Sequence, residues 1–357
     1  MKPILFDPQK DRKIIFKTIN SSGVEVCDLI KDQLEELVAV RHPYLREDRR
    51  KMAKVKESFI KEFDFQDGYL KVGKWVYYQE NKKLVHFLDE KEHLELRTSR
   101  NRNLITSSEQ KIFYNFPVGI AGLSVGSHAA LSTVLQGGGK YLKLADMDVV
   151  SASNINRLRI SFDKIGKYKT DCVAHDIYGL NPYAELTLYR EGLTKDTIKG
   201  FFDKGRKIKI VVDAIDSIEM KVALRLEARR RKIPVLMATD NGDGVILDVE
   251  RYDLNPRAKI WSGRVNEKDL NNIVTMTQVE KAMLINKILG VKNIAPRMLS
   301  STREIGKTLY TWPQIGGAAQ LAGVVLAYAI RIIANKLPLK NGQTVISLER
   351  ILSFNKL

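Results

Sequence analysis

From Phe116 onward, short apolar runs alternate with helix-length amphipathic segments. The runs VGIAG (118–122), YLKLA (141–145), AELTLY (184–189), IKIVVDA (208–214) and IPVLMA (233–238) read as strands, most of them near-continuously apolar, as strands covered on both faces are. Their alternation with helices predicts a doubly wound, mostly parallel α/β sheet. GVILDVERYDL (244–254) continues that sheet or adds an antiparallel edge, and residues 315–335 predict an apolar closing helix.

The first hundred residues follow another pattern. Between Val24 and Glu62, Leu29, Ile30, Leu34, Leu37 and Val38 recur at helical spacing. Tyr69 to Leu88 reads as strand, turn and strand, with Glu80-Asn81-Lys82 at the turn and Trp75, Tyr77 and Phe87 as core. The chain therefore divides into an N-terminal α+β extension, 1–99, and a larger domain, 100–357, with its nucleotide-binding core at 111–253.

Composition narrows the class. A chain of 357 residues with 44% hydrophobic residues can bury a full core and suggests two domains. Only Cys27 and Cys172 are present, which excludes a disulfide framework and a thiolate zinc site and points to a reducing cytoplasm. The N-terminus mixes charge into every apolar run, unlike a signal peptide. Gln320 and Arg331 interrupt the most apolar stretch, so it reads as a buried helix and no membrane is expected. The net charge of +17 is spread along the chain, as on a solvated basic surface. It also suits an acidic partner or a polyphosphate, with nucleic acid open but not favoured.

Candidate chemistry begins where the first strand of the alternation ends. Gly122, Ser124, Gly126 and Ser127 open a helix whose free N–H groups and small residues would let phosphates approach. A tight strand-to-helix turn needs small residues too. Asp146, at the end of the next strand, stands near the ~20-residue spacing at which an acid meets ribose hydroxyls in Rossmann-like folds; alternatively Asp146 or Asp148 caps the following loop. Arg157, Arg159, Lys164, Lys167 and Lys169 then crowd one segment. A triphosphate has use for such cations and a nicotinamide dinucleotide has little, although a basic surface helix would look similar.

This ordered set resembles the ThiF/MoeB-type adenylyltransferases, relatives of ubiquitin-activating enzymes. The family shows a Gly-rich loop, D-x-D, S-N-x-x-R, a Lys, N-P and D-x-x-D. This chain has Gly122 to Ser127, Asp146-Met147-Asp148, Ser153 to Arg157, Lys169, Asn181-Pro182 and Asp213 to Asp216 in that order. The resemblance covers about Arg100 to Asp253, and Gly316-Gly317 with Gln320 is similar to the family's closing helix. It implies ATP and Mg²⁺ as cofactors. Asp146 would hold the ribose, Asn154 and Arg157 the phosphates, Lys169 would neutralise the triphosphate and Asp216 would hold Mg²⁺, with Ser217 beside it in the ATP set. Arg157, Lys169 and Asp216 are thus the implied catalytic residues. Arg100 or Arg102 would reach the ATP of a neighbouring subunit, which makes a homodimer the expectation.

Departures from the pattern bear on the chemistry. Where the family has Arg five residues after the magnesium-holding acid, this chain has Lys221, which keeps charge and loses the fork. The zinc cysteines are absent, and no cysteine follows Cys172, so a thioester step through a later position is excluded. Cys172 reads as core. His42, His86, His93, His128 and His175 have no metal spacing; His128, in the first turn of the phosphate-loop helix, reads as packing or capping.

The expected reaction is ATP-dependent activation of a carboxylate as an acyl-adenylate, on the C-terminus of a ubiquitin-like or sulfur-carrier protein. A small-molecule or tRNA-nucleoside carboxylate, a non-catalytic nucleotide-binding module and a Rossmann oxidoreductase are the alternatives.

Overall fold

The computed structural model describes residues 2–62, 72–266, 270 and 273–352. The chain forms two compact units, residues 1–110 with 178–183, and residues 111–177 with 184–357.

In the first unit, β1 (Ile4–Phe6), β2 (Glu25–Cys27), β3 (Lys74–Tyr78) and β4 (Lys83–Phe87) form a sheet in the order β1-β3-β4-β2. The hairpin expected around Glu80-Asn81-Lys82 is β3 and β4, paired with Trp75 opposite His86; Tyr69 to Lys71, the start of that expected strand, lie outside the described residues. The helical reading of 24–62 is corrected in two places. Residues 25–27 form β2, and Pro43 separates α2 (Ile30–Arg41) from α3 (Arg49–Lys61). Proline cannot continue a helix. Ile30, Leu34 and Leu37 of α2 and Ile60 of α3 share one buried cluster, as the helical spacing requires.

The second unit is built on a seven-stranded sheet. Its strands are β5 (Val118–Ala121), β6 (Tyr141–Ala145), β7 (Glu185–Tyr189), β8 (Ile210–Asp213), β9 (Val235–Asn241), β10 (Gly244–Glu250) and β11 (Gly342–Ser347). Their order is β11-β10-β9-β8-β5-β6-β7. β9 through β7 are parallel neighbours, and β10 and β11 are antiparallel additions. All four β5 side positions and all four of β8 are buried, so both faces of these strands are covered. The connections include α6 (Val125–Leu135), α7 (Lys169–Leu180), α8 (Thr197–Asp203) and α9 (Ile218–Arg230).

The chain leaves β5 toward β6 and β7, then returns to place β8 on the other side of β5. Strand order therefore reverses between β5 and β8, and ligands of open α/β sheets bind outside the carboxyl ends of the strands at such a point. The apolar stretch is α12 (Gly316–Ala334), with Ala318, Ala322, Leu326, Ala327 and Ile330 buried. It packs on α6 closely enough that a Cβ at Gly323 would stand 2.3 Å from His128 Cβ. Its apolar composition is thus spent on the core.

Candidate nucleotide site

Gly122 follows β5 directly with a φ of 86°, and a Cβ there would lie 2.0 Å from the carbonyl oxygen of Ala214, just beyond β8. Only glycine permits this approach. The Gly122 N–H donates to Ala145 O at 2.8 Å and the Ala214 N–H donates to Ala121 O at 2.7 Å, so the ends of β5, β6 and β8 are locked together. Ser124 follows as the residue before α6.

A cavity of about 560 Å³ opens at this point. Ser124, Asn154, Arg157, Lys169, Asp216 and Lys221, six of the residues singled out in sequence, line it. They come from four separate stretches of chain, and the fold brings them together. The remaining ones sit elsewhere. Gly122 and Gly126 shape the turn and the start of α6 beneath the cavity. Ser217 caps α9, its hydroxyl accepting from the Met220 N–H. Arg102 belongs to the first unit, where its guanidinium donates to Val40 O at 3.5 Å.

Asp146 is 9% exposed and is not among the residues lining the cavity. Its Oδ2 accepts from the Leu123 N–H at 2.6 Å and its Oδ1 from the Asp148 N–H at 2.8 Å. One carboxylate thereby ties the glycine turn to the end of β6, the loop-capping role and more. Burial raises its pKa, with Lys169 and the two N–H groups opposing.

Lys169 is the first residue of α7 and is buried, with its ammonium 2.7 Å from Asp148 Oδ2. Asp148 is well exposed at the cavity, so the cation is held at the rim by a partner in contact with solvent. Asn154 is buried and closes a capping box with Ser151, its Oδ1 accepting from the Ser151 N–H at 3.1 Å. That rigid turn aims Arg157. The Arg157 Nε donates to Ser124 Oγ at 3.2 Å and Nη1 to Ser153 O at 3.1 Å. His128, 3% exposed, approaches the Arg157 carbonyl oxygen at 2.6 Å. Packing was the expectation for this histidine, and the packing has a consequence, since it fixes the main chain that carries the arginine.

The D-x-x-D pair divides its work. Asp213 is fully buried; one oxygen accepts from Lys221 Nζ at 3.1 Å and the other from Arg225. Burial would raise its pKa, yet Lys221 and Arg225 hold it below the ordinary carboxylate value. Arg225 also donates to Glu250, so Asp213, Arg225 and Glu250 form a fully paired buried network. Asp216 is exposed and lines the cavity. No group of three or more His, Cys, Asp or Glu suited to a metal occurs among the described residues. A single free carboxylate facing a phosphate site still fits Mg²⁺, which takes one or two carboxylates together with phosphate oxygens and water.

Sequence reading missed the opposite wall. Ile285, Ile288 and Leu289 of α10 (Gln278–Leu289), with Tyr310, Trp312 and Gln314, complete the cavity. So does Asp240 at the end of β9, whose Oδ2 accepts from Gln314 Nε2 at 2.9 Å. Burial pushes Asp240 up to about 6 against that bond and the nearby Arg157. Its signal was an acid at the carboxyl end of a strand beside the switch point; nothing in the sequence could indicate the others.

Known proteins share the family pattern and the fold. The ThiF family pattern matches residues 98–353. The uncharacterized protein MT1398 of Mycobacterium tuberculosis is 33% identical over 270 residues, 76% of this chain and 37% of that protein. The chain thus spans little more than a third of that relative's length. The tRNA threonylcarbamoyladenosine dehydratase of Bacillus subtilis is 28% identical over 52% of this chain and 76% of its own. Among solved structures, TcdA (CsdL) superposes with a TM-score of 0.50 at 21% identity, over 68% of this chain and 95% of that one, a likeness of fold.

Proposed function

The chain belongs to the ThiF family, and from that membership we propose that it is an ATP-dependent adenylyltransferase that activates a carboxylate. The observation that carries the proposal is the convergence of Ser124, Asn154, Arg157, Lys169 and Asp216 on one cavity at the β5–β8 switch point. A nicotinamide dinucleotide would leave Arg157 and Lys169 without a task.

In this reading a carboxylate oxygen of the substrate attacks the α-phosphorus of ATP. The bond to the bridging oxygen breaks, pyrophosphate leaves, and an acyl-adenylate forms. Arg157 and Lys169 face the growing charge on the phosphates, and fixed cations in a partly enclosed site stabilise it without reorganising. Asn154 and Ser124 keep the arginine and the loop in register. Asp148 holds Lys169 at the rim until phosphate oxygens compete for its ammonium. Mg²⁺ would be held by Asp216 and would supply charge neutralisation on the phosphates. Lys221, engaged by Asp213, contributes field to the site and no bidentate grip. A second copy of the chain would supply Arg102, so the enzyme would work as a homodimer.

The carboxylate belongs, in the first reading, to the C-terminus of a ubiquitin-like or sulfur-carrier protein. A tRNA nucleoside is the second reading, favoured by the relative whose name states that substrate. ATP–pyrophosphate exchange tests both. Exchange that requires a diglycine-tailed carrier protein supports the first, and exchange that requires tRNA the second. Stabilisation by Mg²⁺-ATP that weakens in Asp216→Ala supports the nucleotide site itself; stabilisation by NADH and none by ATP would reject it.

A further inference from the structure

A second cavity, of about 1650 Å³, lies in the larger unit at the amino ends of the parallel strands, opposite the end that holds the nucleotide site. Its lining comes from the segments before β5, β8, β9 and β11 and from the one after β10. Those five strands are neighbours in the sheet. At a strand spacing of about 4.8 Å the cleft spans about 19 Å, the reach of about six extended residues. Adenylation gives it no task.

Apolar and charged groups divide the lining. Ile233 and Ile333 are buried in it, Phe116 and Leu337 are half-buried, and Ile112 and Leu254 are exposed. Seven cations and two acids supply the charge. Asp203 is engaged by Arg231, and Asp253 by Arg251. Lys207, Lys209, Lys232, Lys336 and Lys340 are left, all exposed and none in an ion pair among the described residues.

Two of these lysines hold a backbone conformation that lysine disfavours. Lys232 and Lys336 follow the ends of α9 and α12 with φ of 57° and 56°. Each closes its helix. The Lys232 N–H donates to Arg229 O and the Ile233 N–H to Ala228 O, while the Lys336 N–H donates to Ile333 O and the Leu337 N–H to Ile332 O. Glycine is usual at this place, and a side chain there costs about 1 kcal/mol. The helix dipole does not explain the choice, because Arg229, Arg230 and Arg331 already put cations in the last turns. Both helices nonetheless bring a lysine to the same cleft.

Five unpaired lysines call for an anion, and the floor calls for an apolar body. The cavity exceeds the ~300–1,000 Å³ of small-molecule sites, which points to a chain. Carboxylate suits this cleft better than phosphate. The arginines, whose forks fit phosphate, are occupied by aspartates, and α9 and α12 meet the cleft by their C-termini, which have no free N–H groups to offer. A nucleic acid strand would stack its bases on aromatic side chains, and of the two aromatics in the lining Phe202 is fully buried.

We propose that this cleft docks an acidic segment of a partner polypeptide, with Asp and Glu on the lysines and Leu or Phe on the floor. The four residues of β8 put about 13 Å between the two ends of the sheet. A partner docked here leaves the nucleotide site open. The proposal is independent of the adenylation reading.

Selection from a library of random short peptides on the full chain tests it, followed by fluorescence anisotropy on the enriched peptides. The expected peptides interleave Asp or Glu with Leu or Phe. They should bind at least tenfold more weakly to a Lys232→Glu, Lys336→Glu double variant, and at least tenfold more weakly to the wild type once their Leu and Phe are replaced by Ser. Circular dichroism and thermal unfolding check the fold, and Lys209→Glu, away from the helix ends, takes the place of the double variant should that one not fold. No enrichment, enriched peptides without acids, or affinities unchanged by the lysine or the serine replacements would overturn the proposal. A single-stranded oligoribonucleotide that binds more tightly than the peptides and loses that affinity in the variant would assign the cleft to nucleic acid instead. Displacement of the peptide by ATP would place it at the nucleotide site and overturn the proposal as well. None of these readings depends on ATP turnover, so failure of adenylation and failure of docking are distinguished.

Discussion

The His128 imidazole lies 2.6 Å from the carbonyl oxygen of Arg157. Burial lowers the histidine's pKa, so the ring stays neutral near pH 7, and the nitrogen facing the carbonyl carries the proton and donates. His128→Ala removes this anchor and leaves the Arg157 loop to the capping box of Asn154 and the bonds to Ser124 and Gln314. A typical hydrogen bond is worth about 1 kcal/mol, so ATP affinity in calorimetry should fall roughly fivefold. An unchanged affinity would show that the contact serves only packing.

Gly122→Ala should be far more severe. The φ of 86° and the 2.0 Å approach to Ala214 O leave no room, and β5 and β8 would have to part. A loss of about 2 kcal/mol or more is expected in urea unfolding.

Arg157→Ala and Lys169→Ala should each lower pyrophosphate exchange by about 10²–10³, with secondary structure by circular dichroism unchanged. Exchange at the wild-type rate in either variant would contradict the assigned roles.

The two cations on Asp213 should behave differently. Arg225 is fully buried between Asp213 and Glu250, and Arg225→Met leaves Glu250 without its cation and Asp213 with Lys221 alone, at a cost of about 3–5 kcal/mol. Lys221 is partly exposed, and Lys221→Met leaves Asp213 its arginine. The lysine variant should fold with a smaller loss in thermal unfolding, and the arginine variant should express poorly.

Asp240 contributes a pH dependence of stability. Its folded pKa of about 6 lies above the ordinary 3.8, so the folded state binds more protons between those values. Its contribution is therefore full below about pH 4 and is lost as pH rises through 6. Asp240→Asn should flatten the unfolding free energy between those limits and gain about 1–2 kcal/mol near pH 7.5. A wild-type slope in the variant would assign that dependence to another group.

Legibility followed the physics of each signal. The strands of the parallel sheet were readable because burial on both faces demands short apolar runs, as in IKIVVDA. The segment GQTVIS was not read as β11, since its residues are only half-buried and it becomes a strand by pairing with β10, with Ile346 opposite Val245. The start of the helical reading at Val24 failed because Glu25–Cys27 is claimed by β4, a partner far along the chain.

The sequence by itself determined the family, the alternating architecture and the order of the nucleotide motif, because each is written in local periodicity or in residue types at short spacing. Tertiary structure decided which of those residues face the cavity. It set Asp146 behind the glycine turn, gave Asp213 to a buried ion network and left Asp216 free. It also brought Asp240, Trp312 and Gln314 to the far wall. Such choices depend on strand order and on which side chains compete for the same partner, and no local pattern records either.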